Sequence, residues 1–260
     1  MTVALAAAAS VLGLCVGSFL NVVIHRVPQG LSVVSPPSAC PGCARSIAPR
    51  DNVPVVSWIV LRGRCRHCAT PISARYPFVE ALTAVLFGVC ALRVGPDAVL
   101  APVLVLVAAG VALAAIDLDL HRLPFPITVP LFGASVVLLA VVAVVDGPEP
   151  APVALASGAL WGGLFFVLHA GTGGRGMGFG DVVLAPSCGL VLGWLGWGPS
   201  VVGLFAGFAL GAVVGLVQRL RGAVGRGAQI PYGPFLLGGA LLGVLVGDPI
   251  WDAYVSTIRG

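Results

Sequence analysis

Two aspartates stand inside strongly apolar parts of this sequence, where an acid is costly. Asp117 lies in "AAIDLDLHRLP", and Asp181 follows two nearby glycines in "GMGFGDVVLA" (176–185). An aspartate near the centre of a membrane-spanning helix costs roughly 2.5–3.5 kcal/mol on insertion scales, so such residues are usually functional. Two carboxylates that share a proton can serve as a base toward water and as an acid toward a peptide group. We therefore predict aspartic-protease chemistry for this pair, although their spacing in the sequence does not establish contact.

Structural explanations exist for the same acids. Asp181 could simply interact with the free N–H groups at the start of a helix. Gly178 and Gly180 favour a functional interpretation, because they let another backbone or a peptide substrate come close to the acid. Asp119 is two residues after Asp117 and so points to a different helix face. We interpret Asp119 as a solvated interfacial acid and expect Asp117 to face inward.

A polar segment over residues 25–76 carries two cysteine pairs, "CPGC" and "CRHC". This spacing is typical of a four-thiolate zinc site. The predicted ligands are Cys40, Cys43, Cys65 and Cys68. Two disulfides or free thiols are the alternatives, and His67 could replace one thiolate. The metal would stabilise a loop that buries few apolar groups of its own.

The composition indicates a membrane protein. Hydrophobic residues make up 58% of the 260 residues and charged residues only 9%, whereas soluble domains carry about 25% charged residues. The apolar runs are continuous, which favours helices of roughly 20 residues over a β-barrel. The candidate spans are about 3–24, 77–94, 98–116, 125–145, 151–170, 182–196, 198–217 and 233–250. The sixth and seventh are short and glycine-rich, and they could form one broken helix or a re-entrant pair.

The positive charges predict the orientation. All 14 basic residues are arginines, and cytoplasmic loops carry an excess of such residues. With eight spans and an external N-terminus, only Arg93 and Arg259 fall outside, while Arg175 and Arg226 are among those inside. The first span is interpreted as a retained helix, since it lacks a basic leading region and a small-residue cleavage site. The arginines form no patch with interleaved aromatic residues, so we expect no nucleic-acid partner.

Several stretches together resemble the bacterial prepilin leader peptidases, bifunctional membrane enzymes of type IV pilus and type II secretion systems. Along this chain they occur in the same order as in members of that family. They are "GSFLNVVIHRVP" (17–28), the cysteine pairs, "NVPVVSWIVLRGRCRHCATPISARYPFVE" (52–80), "IDLDLHRLP" (116–124), "GMGFGDVVLA" (176–185) and "IPYGPFL" (230–236).

The resemblance implies an intramembrane aspartic protease that cleaves the leader of prepilins and pseudopilins after a glycine, at the cytoplasmic membrane face. Asp117, seven residues before Pro124, matches the first catalytic aspartate, and Asp181 matches the second. The resemblance also implies methylation of the new N-terminus with S-adenosylmethionine, associated with the cysteine loop. No contact residues for that methyl donor can be assigned from the sequence. Phe125 and Val183 depart from the residues that the family usually has beside these motifs.

The expected fold is therefore an all-α polytopic membrane protein of the bacterial cytoplasmic (inner) membrane. It would have about eight transmembrane helices and a cytoplasmic four-cysteine zinc-type loop between the first two. The predicted domains are a first transmembrane helix (1–24), the methyltransferase-associated loop (25–76) and a peptidase core (77–260). Glu80 is either an interfacial acid near Arg75 or a residue of the methyl-transfer site.

Two other functions remain open at this point. Intramembrane aspartates with glycine-broken helices also suit a small proton-coupled transporter, although no good internal repeat is visible. The second alternative is a family member that keeps only one of the two activities, cleavage or methylation.

Overall fold

The computed structural model describes residues 2–174, 176–222 and 231–259. Within them the chain is helical and forms two compact units, Met1–Gly95 and Pro96–Gly260. Arg175 and Arg226, which are predicted to lie on the inner side of the membrane, and Ile230 of "IPYGPFL" lie outside the described residues.

The helices follow the predicted apolar segments closely. They are α1 (Thr2–Arg26), α2 (Val56–Val60), α3 (Arg75–Val94), α4 (Leu100–Leu120), α5 (Phe125–Asp146), α6 (Ala151–Gly171), α7 (Phe179–Leu195), α8 (Trp197–Leu220) and α9 (Gly233–Arg259). Short 3-10 helices occupy Val27–Gln29 and Pro49–Asp51. In the described part of the chain, seven helices are long and apolar enough to cross a membrane, and α7 is a shorter apolar helix. The predicted all-α membrane fold is confirmed.

The first unit pairs α1 with α3, and the cysteine loop connects them. Gly13 and Gly17 lie on the face of α1 that meets α3, where an added Cβ would come within 2.7 Å of the Cα atoms of Ala84 and Glu80. Small residues four apart allow such close approach of two membrane helices. Asn21 of α1 donates a hydrogen bond to the Tyr76 carbonyl at 3.2 Å, which links the helix pair where the loop enters and leaves.

In the second unit, α7 is the most enclosed helix. It packs against α4, α5, α6, α8 and α9, and most of its residues are buried, from Asp181 to Trp194. A helix covered by protein on so many sides does not need the length of a lipid-facing span.

The two glycine-rich segments form separate helices, α7 and α8, that meet at one residue. Gly196 alone separates the two helices, with φ 128°, a backbone conformation that favours glycine. The sequence suggested two short spans, but α8 is 24 residues long and only α7 is short. Likewise α9 continues past Asp248 and Asp252 to Arg259, beyond the predicted end at residue 250.

Candidate functional site

Asp117 lies in the last turn of α4 and faces the protein interior. The residue is only 4% exposed, whereas Asp119 is exposed. The helix ends at Leu120, three residues after Asp117. His121 then adopts a left-handed conformation, and its N–H donates to the Asp117 carbonyl at 2.8 Å. The inward position of Asp117 and the outward position of Asp119 agree with the prediction from their spacing.

Asp181 occupies the first turn of α7, after Gly178 at the N-cap, and is 6% exposed. Its carboxylate interacts with the Gly178 N–H, as third-position acids of a helix commonly do. The other oxygen, Oδ1, is buried and has no hydrogen-bond partner among the described residues. The capping explanation therefore accounts for one oxygen of Asp181, and the second remains available for another group.

The structure brings Asp117 and Asp181 together. The two carboxylates are close enough to interact electrostatically, and the helices that carry them, α4 and α7, pack against each other and against α9. Leu123 lies beside Gly180, which directly precedes Asp181, and beside Gly233 at the start of α9. An added Cβ would come 2.7 Å from Leu123 Cβ if built at Gly180, and 3.0 Å from Leu123 Cδ2 if built at Gly233.

The start of α9 supplies a third component that the sequence reasoning did not assign. The buried Gly233 N–H donates to Asp117 Oδ2 at 3.0 Å. A Cβ at position 233 would come 2.7 Å from the same oxygen, so only glycine fits there without displacement. Gly233 and the preceding Tyr232 belong to "IPYGPFL", a stretch noted for its resemblance to the family, and that was the only signal for them.

The neighbourhood of the acids contains one of the departures from the family pattern. Phe125, at the start of α5, packs edge-on against Phe179 of α7 with ring centroids 6.1 Å apart. Phe179 also contacts the His169 ring at 5.4 Å. Phe125 therefore joins the two helix starts near the acids by an apolar contact. Nothing in the structure explains why Val183 stands where the family usually has another residue.

The four predicted metal ligands form one cluster in the first unit. The sulfur atoms of Cys40, Cys43, Cys65 and Cys68 all lie within 4.8 Å of one another. The Cys40 and Cys68 sulfurs are 3.6 Å apart, near the edge of about 3.8 Å expected for a tetrahedron with Zn–S distances of about 2.3 Å. All four are free cysteines, and His67 is not part of the cluster but contacts Arg45 at 3.3 Å. The cluster is able to bind a metal ion.

Two turns of the same design hold the sulfurs. Cys40 N–H binds the Arg45 carbonyl at 2.9 Å, and Cys65 N–H binds the Thr70 carbonyl at the same distance. In each turn the residue after the second cysteine has φ 56°. Backbone N–H groups point at the first sulfur of each pair, from Gly42 at 3.4 Å and from His67 at 3.5 Å. The sulfurs are thus positioned by the backbone, as a metal site requires.

The electrostatics of the cluster also suit a cation. A hydrogen bond with the Thr70 hydroxyl and backbone lowers the pKa of Cys68 to about 6. For Cys43, a backbone hydrogen bond with Arg45 is outweighed by burial and by the neighbouring thiols, and its pKa rises to about 11. Metal ligands are deprotonated thiolates, and thiolates so close together repel each other. The positive charge of a bound cation would offset that repulsion.

Two further contacts fix the loop. Arg66 Nη2 lies 2.6 Å from Asp51 Oδ1, and the Arg66 guanidinium lowers the pKa of Asp51. Glu80 is buried in α3 and accepts a hydrogen bond from the Val55 N–H at 2.7 Å. Val55 has φ 62° and immediately precedes α2, so Glu80 holds a strained turn of the loop against α3.

Comparison with known proteins agrees with this architecture. The model of the bacterial peptidase A24 N-terminal domain matches residues 11–94, and that of the type IV leader peptidase family matches residues 104–216. The chain is 37% identical to the prepilin leader peptidase/N-methyltransferase of Burkholderia pseudomallei (strain K96243), over 94% of this chain and 86% of that protein. The chain belongs to the type IV leader peptidase family. The membership predicted from the motifs is confirmed.

Other members of the family carry the same name. The protein of Myxococcus xanthus (strain DK1622) is 46% identical over 83% of this chain and 63% of its own length. The protein of Neisseria gonorrhoeae is 34% identical over 94% of this chain and 92% of its own length. No solved structure matches the chain significantly. The matched ranges include both aspartates and all four cysteines of the cluster, whereas Tyr232 and Gly233 lie outside them.

Proposed function

We propose that this membrane protein removes the leader peptide of prepilins or pseudopilins with Asp117 and Asp181 as its catalytic pair. The observation that carries the proposal is the convergence of two buried carboxylates, from the end of α4 and the start of α7, within a chain of the leader peptidase family. The transporter hypothesis has no comparable support, because all the relatives named above are leader peptidases.

The pair would hydrolyse the peptide bond without a nucleophilic side chain. One carboxylate takes a proton from water as the water oxygen bonds to the scissile carbonyl carbon. The other, protonated, donates to the carbonyl oxygen. When the intermediate collapses, the C–N bond breaks and the departing nitrogen receives a proton, which leaves a carboxylic acid and an amine. By resemblance to the family, the bond follows a glycine of the substrate leader.

Each aspartate already has the support that such a pair needs. The Gly233 N–H fixes Asp117 Oδ2, and the Gly178 N–H interacts with the Asp181 carboxylate. Oδ1 of Asp181 is left for a water or a peptide group. Fixed donors that hold catalytic groups in place reduce the reorganisation needed during reaction.

Replacement of either acid by its amide tests the proposal. In membranes containing Asp117→Asn or Asp181→Asn, cleavage of a prepilin should fall by 10²–10⁴-fold or more, the usual contribution of a positioned acid or base. Asp119→Asn is the matched control, because that acid is exposed two residues away, and it should cleave normally. Normal cleavage by either of the first two variants would refute the assignment.

The second proposed activity is N-methylation of the amine that cleavage exposes. The relatives are named for both a peptidase and an N-methyltransferase activity. We assign the methyltransferase activity to the cysteine loop (25–76) and the peptidase activity to residues 77–260. The nitrogen of the new amine would bond to the methyl carbon of S-adenosylmethionine as the S–CH3 bond breaks, with S-adenosylhomocysteine as the leaving group, and the methylated amine would then lose a proton. Mass spectrometry of the mature pilin N-terminus distinguishes a cleaved and methylated product from one that is only cleaved, which would show that one activity has been lost.

The proposed metal of the cysteine cluster is zinc, with a structural role. Cys40, Cys43, Cys65 and Cys68 would hold it and supply all four positions of a closed tetrahedral site. When bound, the ion stabilises the loop and takes no part in hydrolysis, so chelators should affect cleavage weakly.

The arginine distribution supports an external N-terminus and a cytoplasmic cysteine loop, in the inner membrane of the bacterial cell. Reporter fusions after α1 and after α3 test this topology. A fusion after α1 should report the cytoplasm and one after α3 the outside, and the opposite pattern would reverse the proposed orientation.

A further inference from the structure

Tyr232 lies directly before α9, and its ring is enclosed by aromatic neighbours. The ring centroid is 5.8 Å from that of Phe165, 5.8 Å from that of Phe208 and 6.2 Å from that of Phe235. Since the next residue, Gly233, is bound to Asp117 through its N–H, the backbone at this point is tied to the catalytic pair. The ring therefore has a defined direction.

The hydroxyl group at the end of that ring is buried and has no hydrogen-bond partner among the described residues. Asp181 Oδ1 is in the same condition, and Tyr232 and Asp181 are close enough to interact electrostatically. A buried hydroxyl without a partner is unfavourable, and such groups in native proteins usually have a reason. Here one of the two atoms without partners belongs to a catalytic acid, and the other belongs to a side chain that interacts with that acid.

A peptide substrate could supply the partner that the Tyr232 hydroxyl lacks. A tyrosine hydroxyl donates one hydrogen bond and accepts others, whereas the carbonyl oxygen of a peptide bond only accepts. During hydrolysis negative charge develops on that oxygen. A fixed donor aimed at it in a water-poor site is among the strongest contributions a protein can make to the rate.

We propose that the Tyr232 hydroxyl donates a hydrogen bond to the carbonyl oxygen of the scissile peptide bond, and so is a third catalytic residue of the peptidase. This inference rests on the proposed function. The aromatic neighbours hold the ring, the Gly233–Asp117 hydrogen bond sets its position relative to the pair, and Asp181 Oδ1 is left to serve the water or the proton transfer.

Tyr232→Phe tests the proposal, because it removes only the hydroxyl and keeps the enclosed ring. With purified protein and a prepilin, kcat for cleavage should fall about 10–1000-fold, the range for loss of one such donor, while KM changes little. Methylation of an already cleaved pilin and the thermal unfolding temperature should stay at wild-type values. Tyr254→Phe is the matched control, since Tyr254 is an exposed tyrosine of α9, and it should leave every readout unchanged.

The outcomes separate clearly. Wild-type cleavage by Tyr232→Phe, or a loss of cleavage matched by equal losses of methylation and thermal stability, would overturn the role of Tyr232. If Asp117→Asn and Asp181→Asn are inactive in the same assay, the proposed function survives that result. If they cleave normally, the function itself fails.

A second measurement covers the case in which Tyr232→Phe does not fold. Incorporation of 3,5-difluorotyrosine at position 232 keeps the hydroxyl but makes it more acidic, so the donor is lost at lower pH. The alkaline fall in cleavage should then move to lower pH than in the wild type. An unchanged pH profile would contradict the proposal.

Discussion

The cysteine cluster and the aspartate site are assembled in opposite ways. Each pair of sulfurs comes from one short turn, and both turns use the same backbone hydrogen bonds. The aspartate site instead joins the end of α4, the start of α7 and the start of α9, with a hydrogen bond between residues 116 positions apart. The first site is encoded by local sequence, and the second depends on how the helices pack.

The difference also concerns what stabilises each site. The cluster lies partly exposed in a loop with several exposed apolar residues, including Val53, Val56 and Ile59, so a metal can supply much of its stability. The aspartates lie among packed helices, where glycines permit the close contacts. Damage to one site should therefore leave the other intact, which the following predictions test.

Of the three variants that compare the two sites, Gly233→Ala should give the largest effect. The added methyl group would come 2.7 Å from Asp117 Oδ2 and 3.0 Å from Leu123 Cδ2, so the carboxylate or α9 must move. Misplacement of a catalytic group by about 1 Å can cost 10²-fold in rate, and we expect a fall in prepilin cleavage of that order, with methylation retained.

The control for this variant is Gly238→Ala in the same helix, whose added Cβ would make an ordinary contact of 3.4 Å with Leu210. Its cleavage should be normal. Equal cleavage by Gly233→Ala and the wild type would show that the Gly233–Asp117 contact does not matter for the peptidase.

Cys65→Ser should show the converse pattern. Loss of one thiolate should remove the metal from the purified protein and greatly reduce methylation, while cleavage stays within a few-fold of wild type. Metal content by mass spectrometry and the two activities are the measurements. Cys15→Ser, at an exposed position of α1, is the control and should keep metal and both activities; loss of cleavage together with the metal would end the separation of the two sites.

The smallest effect is expected for Asp51→Asn, which removes the partner of Arg66. Because the pKa of Asp51 is lowered in the folded protein, its pairing stabilises the loop above the ordinary carboxyl pKa and loses that effect as pH falls through the lowered value. Hydrogen exchange of the loop amides should be slightly faster in the variant at neutral pH, and this difference should vanish in acid. A difference that persists at the lowest pH would mean that charge pairing is not its cause.

The same contrast explains what could be predicted from the sequence. The spans follow from long apolar runs, because a bilayer requires them, and the cysteine cluster follows from two local spacings. The burial of Asp117 relative to Asp119 follows from helical periodicity. The membrane fold could therefore be predicted almost completely, apart from helix ends such as that of α9.

The role of the α9 start could not be predicted in this way. A hydrogen bond from Gly233 to Asp117 leaves no pattern in either segment, because it depends on the packing of α4 against α9. The same holds for the direction of the Tyr232 ring and for Glu80, whose partner Val55 comes from a strained turn of the loop. Contacts between segments far apart in the sequence need the three-dimensional structure.

The most direct test of the central claim is a chemical cross-link between positions 117 and 181. Asp117→Cys and Asp181→Cys would be combined in a chain whose other membrane cysteines, Cys15, Cys90 and Cys188, are replaced by serine. A short bifunctional thiol reagent should then join positions 117 and 181, as detected in the digested peptides, while the pair Asp119→Cys and Asp181→Cys should give little product. If the first pair gives no cross-link although each cysteine reacts singly, the two acids do not share a site and the account is contradicted.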